Sequence, residues 1–259
     1  SFGLAGDIQI ETGSVTSYTV VVSPPKTDRI FLHCPGCNDS FISSDVPDSA
    51  LAGANHFHFG YPPLMAAMRA DDGLELVTLF QRAKRLGLST SLDMSLPDKN
   101  SDQGKTNWTQ LLTNVLPYVD FFMPSEEELA FMLPQVVFGI EELARTCLNL
   151  GCGVIVIKRG TDGLFAQSAS VGRLDAIAKY SDPNTWSSQR LTQSIFPVDV
   201  VGTTGAGDAT IAGFLFGLVN GQSFQQCLTT GCAVGAMSVE GVDAVSGIKT
   251  WSESSTRFC

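Results

Sequence analysis

The sequence predicts an α/β protein whose mostly parallel sheet is covered by helices on both faces. Three observations carry this prediction. Short β-branched and aromatic runs alternate with stretches of helical periodicity along most of the 259 residues. Hydrophobic residues make up 44% of the chain and Asp, Glu, Lys and Arg only 16%, so a sizeable core can form. Glycine is in excess, 25 residues against an average of about 7%, and several of these fall in two loops, at 202–207 and 160–163.

The elements follow in order. Ser17–Ser23 (SYTVVVS) and Arg29–His33 (RIFLH) flank a Pro24-Pro25-Lys26-Thr27-Asp28 turn and read as a hairpin, a flap outside the main body. Asn55–Gly60 (NHFHFG) reads as a strand, with His56 and His58 on its face or in the core. Leu76, Leu79, Phe80, Ala83 and Leu86 repeat at helical spacing over Gly73–Leu86, and Gly87 is placed to end that helix. Then come a strand at Leu88–Asp93, a helix at Asn107–Leu116, a strand at Tyr118–Met123 and helices at Ser125–Leu133 and Ile140–Leu150. A strand at Val154–Lys158 turns through Thr161-Asp162-Gly163 into another at Leu164–Gln167. Helices at Ala206–Val219 and Phe224–Val239 complete the pattern. The Ser-, Asn- and Pro-rich stretch Ser181–Ser188 reads as a surface loop. In sheets of this kind ligands bind beyond the carboxyl ends of the strands, often at helix N-termini.

Charge and cysteine usage exclude several classes. Lys plus Arg is 16 and Asp plus Glu is 26, a net charge of 16 − 26 = −10, which argues against a nucleic-acid or anionic-membrane binder. No apolar run approaches the roughly 18 residues that span a bilayer, and no signal peptide is expected at Ser1. Seven cysteines, an odd number widely spread, do not form a secreted disulfide framework, and a reducing cytoplasm is the expectation. Cys34-Pro35-Gly36-Cys37 has redox or zinc spacing, but His33 alone stands near it, and Gly36 and Asn38 mark a plain turn. No G-x-S-x-G elbow supports a hydrolase.

The sharpest feature is Gly202-Thr203-Thr204-Gly205-Ala206-Gly207-Asp208, which runs straight into an apolar helix. Small residues let backbone N–H groups approach an anion, and the helix dipole adds positive character there. A carboxylate in that first turn can take a proton from an attacking hydroxyl while the amides hold developing charge. The plainer alternative is a glycine loop whose Asp only complements the helix dipole. The G-x-x-x-x-G-K-[ST] loop is absent.

With Ala212-Gly213-Phe214-Leu215 after it, Gly205-Ala206-Gly207-Asp208 resembles the C-terminal signature of the ribokinase-like, or PfkB, carbohydrate kinases. The resemblance continues upstream, from about Thr27 onward. Pro124-Ser125-Glu126-Glu127-Glu128 stands where the family carries Asn-x-x-Glu, Val156–Gly163 resembles its nucleotide-binding strand and turn, and Cys34–Asn38 resembles its Gly-Ala-Asn turn. The resemblance implies a three-layer α/β/α ribokinase-like body with a small β-hairpin lid, here residues 8–34 of one domain over 1–259. It implies transfer of the ATP γ-phosphoryl group to a hydroxymethyl group of a sugar or sugar-like molecule. Asp208 would be the general base, with Gly205, Ala206 and Gly207 as the anion hole. Lys158, Gly160, Thr203, Thr204 and Gly235 would lie along the nucleotide, and Asn38 and Asp93 along the sugar. Glu128 would help hold Mg²⁺, which prefers oxygen ligands and keeps waters while bridging phosphates. A homodimer through the lid is also implied. A nucleoside kinase of the same fold and a catalytically inactive sugar- or nucleotide-binding relative are the alternatives.

Departures from the pattern are specific. Ser125 replaces the Asn of Asn-x-x-Glu. Gly202 replaces an Asp associated with a monovalent-cation site, so the resemblance does not extend to potassium activation. Ser95 and Pro97 replace the Asn and Arg of Asp-x-Asn-x-Arg, which withdraws the expectation of an acidic sugar. Nothing before the hairpin resembles the family's Gly-Gly-x-x-x-Asn segment, and the first section of the family pattern is expected to be missing from these residues.

Overall fold

A computed structural model describes residues 10–22 and 30–258. It divides into two compact units, Ser1–Tyr118 and Val119–Cys259, each described here by itself.

The first unit holds β1 (Tyr18–Val22), β2 (Ile30–Cys34), α1 (Asp48–Leu51), β3 (His56–Phe59), α2 (Ala66–Arg69), α3 (Leu74–Arg85), β4 (Ser89–Leu92), α4 (Asp102–Lys105) and α5 (Trp108–Val115). The predicted hairpin is present, with β1 and β2 antiparallel and Val20 opposite Leu32. Its expected turn at 24–28 lies outside the described residues. Cys34 to Cys37 departs from the expected plain turn: Pro35 leads into a 3₁₀ helix, Gly36–Ser40. Gly36 is at φ +53°, and a Cβ on it would lie 2.3 Å from the Val15 carbonyl oxygen, so only glycine fits.

β3 and β4 pair in parallel, with α3 as the crossover between them. Phe57 packs edge-on to Phe80 of α3, 5.4 Å between ring centres. The alternate residues form a polar face, where His56 bridges the Ser89 and Ser91 hydroxyls at 2.7 and 2.8 Å and His58 meets Ser91 at 2.7 Å. These histidines are therefore tied to the sheet face, as their alternation with phenylalanine indicated. α3 buries Leu76, Leu79, Phe80 and Ala83 of the stripe read from the sequence, whereas Leu86, the residue after its last turn, is exposed. Gly87, at φ +80°, ends it.

The second unit holds β5 (Phe121–Phe122), α6 (Glu126–Met132), α7 (Ile140–Asn149), β6 (Val154–Lys158), β7 (Leu164–Ser168), β8 (Arg190–Gln193), α8 (Ala206–Val219), α9 (Phe224–Val239) and α10 (Trp251–Phe258). β5 and β6 are parallel, whereas β6, β7 and β8 pair antiparallel, the chain returning from β6 to β7 through a tight turn at Gly160–Gly163 and from β7 to β8 through the longer segment 169–189. The α/β class with a mostly parallel sheet and a small antiparallel hairpin thus holds. β5 is shorter than the strand expected at Tyr118–Met123.

The core corrects one expectation outright. Ser181–Ser188 is not a plain surface loop, because Trp186 within it is fully buried. Its ring stacks on Phe224 with centres 4.5 Å apart and meets Phe121 and Phe214 edge-on. α8 and α9 pack through glycines: a Cβ on Gly213 would lie 2.7 Å from the Thr230 carbonyl oxygen, and one on Gly231 2.9 Å from that of Thr210.

Candidate functional site

The glycine loop and α8 form as the sequence indicated. Gly205 is the N-cap of α8 at φ +79°, and Ala206, Gly207 and Asp208 make its first turn. A Cβ on Gly205 would lie 2.4 Å from that of Ala244, so glycine is required by both conformation and space. The first N–H groups of a helix have no acceptor within it. Here the Ala206 N–H turns back to the Thr203 carbonyl at a long 3.4 Å. Asp208 is exposed, and Thr203 and Thr204 lead into the turn from its open and half-buried sides.

Lys158, at the end of β6, closes one side of this turn. A Cβ on Gly207 would lie 3.7 Å from Lys158 Nζ and 3.8 Å from its Cδ. Lys158 also forms a parallel bridge to Ser125, its N–H donating to the Pro124 carbonyl at 2.9 Å. That pairing brings the start of α6 to the same place. Ser125 caps α6: its Oγ accepts from the Glu128 N–H, and the Glu128 carboxylate accepts from the Ser125 N–H at 2.6 Å. Sequence reasoning took Glu128 as a metal residue and missed this reciprocal cap, although Ser-x-x-Glu before an apolar run signals it. Glu128 is only 9% exposed. Burial, the largest influence, raises its carboxyl above the usual range, and the Lys158 charge opposes that rise.

The structure thus gathers Gly205, Ala206, Gly207, Asp208, Lys158 and Glu128 in the second unit. Gly160 opens the turn after β6 at φ +54° with nothing within 4 Å of where a Cβ would stand, so the backbone there can be closely approached. Gly235 faces the first turn of α8 from behind: its Cβ would lie 2.4 Å from Thr210 Oγ1 and 3.5 Å from the Ala206 carbonyl oxygen. Its absent side chain is therefore needed for helix packing. Asn38 and Asp93 belong to the first unit, Asn38 exposed in the 3₁₀ helix after the hairpin and Asp93 1% exposed at the end of β4. Pro97, where an Arg was sought, is buried.

Two further features were not anticipated. A Cβ on Gly202 would lie 2.9 Å from the Gly241 carbonyl oxygen and 3.4 Å from that of Val242. An acid cannot be placed at 202 without moving that loop. Arg159, next to Lys158, pairs with Glu126 and Asp162. Among the described residues no group of three or more His, Cys, Asp or Glu side chains is gathered to hold a metal. Glu128 is a single oxygen donor of the kind Mg²⁺ accepts, an ion that can take its remaining ligands from phosphates and water.

A family model described as pfkB family carbohydrate kinase matches residues 6–251. The chain belongs to the PfkB family of carbohydrate kinases. This PfkB chain is 22% identical over 246 residues to an uncharacterized sugar kinase of Archaeoglobus fulgidus, covering 95% of this chain and 85% of that protein. It is 27% identical over 223 residues to a ribokinase of Arabidopsis thaliana, covering 77% of this chain but 50% of that protein. The fold is similar to that of a ribokinase from Thermotoga maritima, with a TM-score of 0.70 at 19% identity over 95% of this chain and 71% of that one. It is also similar to a putative ribokinase II from E. coli in complex with ATP and Mg²⁺, with a TM-score of 0.69 at 22% identity over 88% and 67%. The PfkB fold is thus the α/β architecture expected from the sequence. No helix among the described residues is long and apolar enough to cross a membrane.

Proposed function

We propose that this chain transfers the γ-phosphoryl group of ATP to a hydroxymethyl group of a sugar or sugar-like molecule. One observation carries the reading: the glycine N-terminus of α8 has a lysine laid along it and a carboxylate in its first turn. Asp208, exposed in that turn, accepts the proton of the attacking hydroxyl. The amides of Gly205, Ala206 and Gly207 hold the charge that develops on the transferred group. Lys158 and the open backbone at Gly160 bind nucleotide phosphates, with Thr203 and Thr204 at the loop entrance and Gly235 setting the helix behind it. Glu128 would hold Mg²⁺ through water, the ion supplying charge neutralisation on phosphate oxygens. Asn38 and Asp93, both residues of the first unit, are the sugar contacts on this reading. Much of the rate would come from positioning and electrostatics.

The hairpin serves as the lid on this reading. All of its described strand residues up to Leu32 are exposed, Val20, Phe31 and Leu32 among them, and a second copy would cover them. The six described cysteines are free thiols, which suits a reducing cytoplasm.

A binding protein without transfer activity is the second reading, favoured by the carbonyls of Gly241 and Val242 that fill the space at Gly202. Release of ADP from ATP and Mg²⁺, measured against a panel of neutral and acidic sugars and adenosine, separates the readings. Sugar-dependent release that is lost in Asp208→Asn is expected. Sugar binding without release would favour the second reading, and turnover with adenosine alone would make the chain a nucleoside kinase.

A further inference from the structure

Arg159 is the one cation of the β6 end that the phosphate site does not use, and its contacts are directional. Its Nε donates to Glu126 Oε2 at 3.0 Å and its Nη2 to Asp162 Oδ2 at 3.5 Å. The Arg159 side chain is 28% exposed, against 41% for Glu126 and 68% for Asp162, so the Glu126 pair is the more sheltered and the Asp162 pair lies largely in solvent. Glu126 is the first residue of α6, whose reciprocal cap places Glu128 two residues further on. Asp162 ends the 3₁₀ turn Gly160–Asp162, which Arg159 itself precedes as N-cap. The Arg159 N–H donates to the Gly163 carbonyl, and its carbonyl accepts from the Asp162 N–H.

Two loops therefore meet on one guanidinium. One carries Glu128, the other carries Gly160, and Lys158 lies between them, bridged by backbone to Ser125. Each segment is held internally by its own backbone or cap hydrogen bonds, and the backbone joins the two only at the Lys158–Ser125 bridge. A planar fork bound on two sides adds a directional side-chain tie between them, which a single-point ammonium does not reproduce. Glu126 and Asp162 lie on the two segments that carry Glu128 and Gly160, and pairing them with Arg159 reduces their repulsion of an incoming anion.

We infer that Arg159 is a positioning residue: it locks the start of α6 to the turn after β6, and so holds Glu128 and Gly160 in register for the nucleotide phosphates. This rests on the proposed kinase reading, and it is tested by two measurements, one of which needs no ligand. In hydrogen exchange on the free protein, Arg159→Met is expected to raise exchange about tenfold at Glu126–Glu128 and at Gly160–Gly163, with α9 unchanged. Arg159→Lys, which keeps the charge and loses the fork, is expected to do the same to a smaller degree, and Glu126→Gln to match Arg159→Met at the start of α6. Unchanged exchange at both segments in both Arg159 variants would overturn the inference, as would an increase spread over the whole unit. The second measurement is Mg²⁺·ATP kinetics. Arg159→Met is expected to raise the KM for Mg²⁺·ATP about fivefold or more with kcat within about threefold of wild type. Glu126→Gln added to it should cost less than the product of the single effects. Fully multiplicative effects, or a loss in kcat alone, would overturn it. If wild type shows no Mg²⁺·ATP turnover or binding while exchange responds as stated, the kinase reading fails and the Arg159 lock stands.

Discussion

The Lys158 side chain runs along the backbone of Gly207, its Nζ 3.7 Å from the point where a Cβ would stand. A cation at a helix N-terminus faces the positive end of the dipole, which costs about 0.3–1 kcal/mol where it is exposed. The Lys158 charge in turn favours the ionised form of the buried Glu128 carboxyl, against the effect of burial. On the proposed kinase reading this is where a phosphate anion binds, in a chain whose net charge is −10.

Lys158→Met therefore tests the anion site. A hydrogen bond to a charged partner contributes about 1.5–3 kcal/mol, so ATP affinity should fall roughly tenfold to a hundredfold. Isothermal titration with Mg²⁺·ATP measures it. Unchanged affinity would remove Lys158 from the site.

Asp208→Asn separates chemistry from binding. The amide keeps the size of the carboxylate but cannot take a proton at neutral pH. General-base contributions are typically 10²–10⁴-fold, and kcat should fall by that order. Asp208 is exposed, and thermal stability should fall by an amount of the order of a first-turn charge, about 0.3–1 kcal/mol. Retained sugar phosphorylation in this variant would overturn the mechanism.

Glu128→Gln has a pH signature. Glutamine preserves the cap with Ser125, because its amide oxygen accepts the same N–H. Burial raises the Glu128 carboxyl in the folded protein, so between the ordinary glutamate value, about 4.3, and the raised one, the folded chain binds more protons than the unfolded. The stability this group contributes is present below the ordinary value and is lost as pH rises through the raised one. Relative to wild type, Glu128→Gln should gain stability from pH 4 to pH 7, while its Mg²⁺ requirement worsens. Scanning calorimetry across that range checks the sign. A difference that does not vary with pH would contradict it.

Gly205→Ala and Gly160→Ala divide two costs. Both residues have positive φ, a strain of about 1–3 kcal/mol for a side chain. At Gly160 nothing lies within 4 Å, whereas at Gly205 the new Cβ meets Ala244 at 2.4 Å. Overpacking adds about 1–3 kcal/mol, so Gly205→Ala should be the more destabilising in urea. Equal losses would mean the 244 loop yields without resistance.

Much of this was legible in the chain because the local signals agree with the fold. α8 starts where the glycine run ends and stops at Asn220-Gly221, and its bounds match the sequence reading residue for residue. β6 could be read from an unbroken apolar run, all of it buried up to Lys158. What escaped depends on partners distant in sequence. Nothing near Trp186 announces burial, since its neighbours are Ser, Asn and Pro, and only Phe121, Phe214 and Phe224 make it a core residue. β8 has one apolar residue, Leu191, among its four and lies at an edge of its antiparallel run, so its pattern is weak. The approach of Lys158 to Gly207 joins elements far apart in the chain, and that of Gly235 to Thr210 depends on how the two successive helices α8 and α9 cross.

The burial of Trp186 also equips the molecule with a reporter. Three tryptophans are present, and two are buried, Trp108 in the first unit and Trp186 in the second. An indole moved from a packed aromatic environment into water shifts its emission to longer wavelength. Chains keeping only Trp108 or only Trp186 would therefore signal the melting of each unit separately, and coincident or staggered emission curves would show whether the two unfold as one cooperative body.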